Sequence, residues 1–119
     1  MEAKELKIGN YVFINNDDFT NKEYHKIDGI DIALFESEEE NKRFESIPLT
    51  EEILLKCGFE KIIVENYPLY IFDGFMIEIY DDNCVVCYNN IEITKLKFVH
   101  SLQNLYFSIK LKELLCDNI

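Results

Sequence analysis

Ile47-Pro48-Leu49-Thr50-Glu51-Glu52-Ile53-Leu54-Leu55-Lys56-Cys57-Gly58-Phe59 is a punctuated short helix with strand-like sequence on both sides, and the rest of the chain is placed around it. The Thr50 hydroxyl is suited to accept from the free amides of the first turn, and Glu51 and Glu52 set negative charge where the helix dipole is positive. Gly58 supplies the left-handed residue that ends the helix. Ile53, Leu54 and Cys57 share one face, with Leu55 beside them, so about two turns of helix carry an apolar stripe that needs a sheet to cover it. The stretch therefore predicts an α+β fold, and by itself it specifies no chemistry.

Upstream, residues 1–49 read as a small β unit. Tyr11-Val12-Phe13-Ile14 is β-rich and stops at Asn15-Asn16-Asp17-Asp18, and residues 24–35 supply one or two further strands in which Ile30, Ile32 and Leu34 alternate with Asp31 and Ala33. A last short strand is expected near 43–47. Short strands joined by tight turns suggest an SH3-like, partly closed barrel. Downstream, 61–65 and 69–72 are separated by Asn66-Tyr67-Pro68 as a turn, Asp73-Gly74 is a strong hairpin signal, and Asp81-Asp82-Asn83 and Asn89-Asn90 turn the chain again. This predicts an antiparallel meander over 59–97.

Val99, Leu102, Leu105, Tyr106 and Ile109 recur at helical spacing, so a helix over 99–111 is expected to lie on the meander with Leu102, Leu105 and Ile109 buried. No Gly/Ser/Pro linker interrupts the chain, which reads as one compact domain over 1–119: a β unit (1–49), a helix (50–58), the meander (59–97), then a helix and tail (98–119).

Charge narrows the partners. With 23 acidic against 12 basic side chains and a net charge of −11, the chain lacks the clustered Lys and Arg of a phosphate-binding surface, so no direct nucleic-acid contact is expected. A basic protein surface is the complementary partner. Glu36, Glu38, Glu39 and Glu40, with Glu45 beyond them, form the densest acidic run and are the candidate partner-binding residues, although such a run also serves as a solvated loop.

No constellation for catalysis is legible, and neither an enzyme nor a cofactor is expected. His25 and His100 lack a local acid or nucleophile, and the sequence has no Gly-rich phosphate loop. Cys84-Val85-Val86-Cys87 has the spacing of a redox or zinc pair, but two valines in a strand send the two thiols to opposite faces, so no metal is expected. The four cysteines lack the regular spacing of a disulfide scaffold and are expected as free thiols. No apolar stretch approaches the roughly 18 residues of a membrane span, so no membrane contact and a cytoplasmic location in the host cell are expected.

Three segments carry a resemblance: Leu6-Lys7-Ile8-Gly9-Asn10-Tyr11-Val12, the 46–59 stretch, and Val99-His100-Ser101-Leu102-Gln103-Asn104-Leu105-Tyr106-Phe107. Together they resemble small proteins carried by phages and mobile elements of the Bacteroidetes. The chain departs from that group's pattern at 109–114, where a Thr-Gly break would be expected. The resemblance implies a mobile-element protein. In that setting a small acidic chain is similar in type to anti-CRISPR proteins, which implies inhibition of a type VI-B RNA-guided RNase through its basic, RNA-handling surface. The alternative is a phage structural or assembly accessory protein that oligomerises through sheet edges or exposed aromatics.

Overall fold

The computed structural model describes residues 6–15, 22–28 and 44–116, and it is α+β, with two antiparallel sheets and two helices among them. The chain divides into two compact units, Met1–Ile47 with Phe98–Glu113 and Pro48–Lys97 with Leu114–Ile119.

In the first unit β1 (Tyr11–Asn15) is central, between β2 (Lys22–Lys26) and the two-residue β3 (Phe44–Glu45). Val12 faces His25 in the β1–β2 register, and Phe13 faces Glu45 in the β1–β3 register. Leu6, Val12 and Ile27 form the buried cluster, with Ile14 packed against it. The strand read over 30–35 lies outside the described residues.

The C-terminal helix, α2 (Val99–Lys110), belongs to this first unit and touches β1. Polar side chains decide this. Gln103, only 6% exposed, donates from Nε2 to the Gly9 carbonyl at 3.0 Å and accepts from the Tyr11 amide at 2.8 Å. Asn10 donates to Asn104 Oδ1 at 2.9 Å, and its own Oδ1 accepts from the Lys7 amide at 2.7 Å. The buried stripe is accordingly rotated from the expected one: Val99, His100, Leu102, Gln103 and Tyr106 are buried, whereas Leu105 and Ile109 are only half-buried. Leu111, with φ +59°, ends the helix in the left-handed region.

The second unit opens on α1 (Glu51–Lys56), capped as its sequence predicts. Thr50 Oγ1 accepts from the Ile53 amide at 3.3 Å. At the other end Gly58 has φ +95°, its amide donates to the Leu55 carbonyl at 3.2 Å, and the Phe59 amide donates to the Leu54 carbonyl at 3.0 Å. These two bonds close a Schellman motif and satisfy carbonyls the helix leaves free. Ile53, Leu54 and Cys57 are buried, while Leu55 is exposed.

Five strands follow in sequential order: β4 (Glu60–Val64), β5 (Tyr67–Phe72), β6 (Phe75–Ile79), β7 (Cys84–Tyr88) and β8 (Ile91–Leu96). Three connections are two-residue turns with positive φ at both residues, Glu65-Asn66, Asp73-Gly74 and Asn89-Asn90, the conformation that matches strand twist. The first turn lies earlier than the expected Asn66-Tyr67-Pro68, and Pro68 sits within β5. It is tolerated because the β5–β6 ladder already ends at the Tyr70–Ile77 pair, so the missing Pro68 amide interrupts no bond there.

A disulfide joins Cys57 to Cys116, 59 positions apart in sequence, and corrects the expectation of four free thiols. Cys57 is the C-cap of α1 and both sulfurs belong to buried residues, so the chain's return at 114–116 is what brings them together.

Candidate functional site

Side chains alternate between the two faces of the meander. Tyr70, Phe75, Ile77, Cys84 and Val86 fall on the inner face and are at most 3% exposed. Lys61 is on this side too, where its ammonium meets Glu51 of α1 at 2.6 Å. That hydrogen bond holds the Glu51 carboxyl below its ordinary range and pushes Lys61 above its own. Burial, with the Glu51 charge nearby, raises the Tyr70 phenol.

The outer face is different. The registers align one row across all five strands: Glu60 faces Ile71, Ile71 faces Met76, Met76 faces Cys87, and Cys87 faces Glu92. Four inter-strand spacings separate the backbones of Glu60 and Glu92 by about 19 Å. Between them lie only apolar side chains, of which Ile71 and Met76 are half-buried. Beside the row, Ile62, Val64 and Tyr67 are 37%, 47% and 73% exposed, and Leu69 and Val85 are half-buried. Glu78 faces Val85 and accepts from the Tyr80 hydroxyl at 2.6 Å, which raises the Tyr80 phenol, while Lys95 is the face's cation beyond Val85. An apolar centre with a charged rim is the anatomy of a protein-binding patch.

The residues singled out from sequence are placed as follows. Glu36, Glu38, Glu39 and Glu40 lie outside the described residues. Glu45 is on β3 in the first unit, opposite Phe13. Cys84 and Cys87 are on opposite faces of β7, buried and unbridged, and burial pushes both thiols up, with Glu78 and Glu92 adding to the effect at Cys87. A thiol raised in this way is a poor nucleophile. His25 is in β2, and the buried His100 ring stacks on Phe98 at 5.8 Å. Among the described residues no three His, Cys, Asp or Glu side chains gather as a metal site, and no helix is long and apolar enough to cross a membrane.

The outer-face row was missed in the sequence. Its signal was present in Ile62-Ile63-Val64 and Leu69-Tyr70-Ile71-Phe72, where apolar residues run on without alternation and so supply both faces of their strands. A search of family models, curated proteins and solved structures returns no match to this chain.

Proposed function

We propose that the chain is a non-enzymatic binding protein whose partner is a protein surface with an apolar centre and a rim of Lys and Arg. The single observation that carries this reading is the Glu60–Ile71–Met76–Cys87–Glu92 row, which joins an apolar strip, half-buried at Ile71 and Met76 and buried at Cys87, to carboxylates at both sheet edges. Phosphates would meet these carboxylates at a cost, so the partner is protein and not nucleic acid. A net charge of −11 adds long-range attraction toward a basic partner.

In the mobile-element setting that the resemblance implies, this partner is a host RNA-guided RNase, inhibited in the host cytoplasm by occlusion of its RNA-handling surface. The 36–40 run supplies a second acidic contact in this reading.

The test is a pull-down and RNA-cleavage assay with purified RNA-guided RNases. Three variants are compared with wild type: Glu60→Lys/Glu92→Lys, Val64→Lys/Tyr67→Lys, and one with Glu36, Glu38, Glu39 and Glu40 changed to Gln. Rim charge reversal is expected to slow association and alter its salt dependence, and the apolar-face variant to shorten the complex's lifetime. Wild type that binds no such effector removes the inhibitor reading. Folded outer-face variants that bind as tightly as wild type remove the outer face as the site.

A further inference from the structure

At the β5–β6 end of the five-stranded sheet two turns lie side by side, because the Asn89 amide of the β7–β8 turn donates to the Gly74 carbonyl at 3.0 Å. A hollow of about 530 Å³ opens there, lined by Gly58, Glu60, Ile71, Met76, the 72–75 hairpin and Asn90. Sites that take small ligands or single anchoring groups run from roughly 300 to 1,000 Å³, so this one is large enough to hold a long side chain. Its shape is built into the backbone. Gly58 and Gly74 put no side chain into it, both have positive φ, and a Cβ at Gly74 would come 3.0 Å from the Tyr88 ring.

The lining is one-sided in charge. Glu60 and Asp73 are acidic, Asn90 is polar and none of the lining residues is a cation. Lys61, next to Glu60 in sequence, is held by Glu51 on the inner face at 2.6 Å. Among the described residues no cation pairs with Glu60, which is exposed. Ile71 and Met76 follow Glu60 in the outer-face row, both half-buried, and a methionine thioether adapts readily to the shape of what it meets. The far end of the row differs, since Lys95 lies on the same strand as Glu92.

We propose that this hollow receives one arginine side chain of the protein partner. The proposal rests on the outer-face reading above for the class of partner, and it fixes which end of the row recognises charge. Acidic residues on two separate segments, β4 and the β5–β6 turn, call for a donor that serves both. A guanidinium carries five N–H donors in a planar fork and is weakly hydrated, whereas an ammonium is a strongly hydrated point charge. The backbones of Glu60 and Met76 are two inter-strand spacings, about 10 Å, apart. A stem that enters over Met76 therefore crosses Ile71 before its head reaches Glu60, and arginine buries its methylenes along apolar surface in this way.

An amide-resolved NMR titration of the whole chain with Nα-acetyl-arginine amide tests the proposal. The lysine and citrulline counterparts are titrated beside it, citrulline keeping the shape of arginine without its charge. Arginine amide is expected to shift the Gly58, Glu60, Asp73 and Gly74 amides saturably in the millimolar range, lysine amide to bind several-fold more weakly, and citrulline amide not to saturate. Glu60→Gln is expected to weaken arginine binding several-fold with unchanged circular dichroism. Asp82→Asn removes the same charge in the β6–β7 turn, at the opposite end of the sheet, and is expected to leave the affinity unaltered. The inference is overturned if arginine amide produces no saturable shift at these amides, if citrulline amide binds as well, or if Glu60→Gln binds like wild type. An RNase captured by a chain whose hollow ignores arginine removes this inference alone. Arginine bound in the hollow of a chain that captures no RNase supports it and removes only the inhibitor reading.

Discussion

Replacing Gln103 by Ala removes no charge and little apolar area, yet it is expected to be among the more destabilising single changes in α2. The carboxamide joins the helix to the 9–11 turn by two bonds, to the Gly9 carbonyl at 3.0 Å and from the Tyr11 amide at 2.8 Å. Gly9 is buried and Tyr11 half-buried, so truncation leaves both main-chain groups without this partner where water reaches them poorly. An unsatisfied buried polar group costs about 1–3 kcal/mol, which gives about 2–6 kcal/mol for the pair and a large share of the ~5–15 kcal/mol that holds a small domain together. Urea unfolding followed by far-UV circular dichroism measures the loss, and the melting point is expected to fall by on the order of 10 °C. Asn104→Ala, which removes the bond from Asn10 at 2.9 Å, serves as the calibration and is expected to cost about 0.5–1.5 kcal/mol. A Gln103→Ala protein with the wild-type urea midpoint would refute the reasoning, because it would show that the turn is held without the helix.

Cys57→Ala/Cys116→Ala releases a loop closed over 59 positions and is expected to lower stability by about 4 kcal/mol on loop-closure grounds, with reductant lowering the wild-type urea midpoint toward that of the variant. Thiol counting on denatured, unreduced chain is expected to find two free groups, and four would exclude the bridge. The Glu51–Lys61 pair gives a pH signature with two limbs. Glu51 is held below its ordinary range, so its contribution is complete above the unfolded carboxylate pKa and is lost as pH falls through the lower folded value; Lys61 is raised, so its contribution is complete below the unfolded lysine pKa and is lost as pH rises through the higher folded value. Glu51→Gln should therefore melt below wild type at neutral pH and together with it in strong acid; a gap that persists below the carboxylate range would place its cause elsewhere.

Local signals in this sequence are legible because their physics is local. Thr50 and Gly58 bound α1 through bonds spanning a few residues, and Asp73-Gly74 and Asn89-Asn90 turn the chain because their backbones accept positive φ. Composition and these signals together were enough for the α+β class and the meander. Pairings between distant residues were not legible. Nothing near Cys57 or Cys116 marks them as partners, since that depends on where the chain returns after α2. Periodicity placed Leu105 and Ile109 in the α2 stripe. The structure buries Gln103 in their stead, because two backbone groups 92 and 94 positions away require its amide, and hydrophobic spacing cannot express that requirement. The candidate site divides in the same way. Its residue types were visible as unbroken apolar runs in β4 and β5, but only the strand registers align Glu60, Ile71, Met76, Cys87 and Glu92 into one row, because a shift of one residue in any ladder would send half of them to the other face.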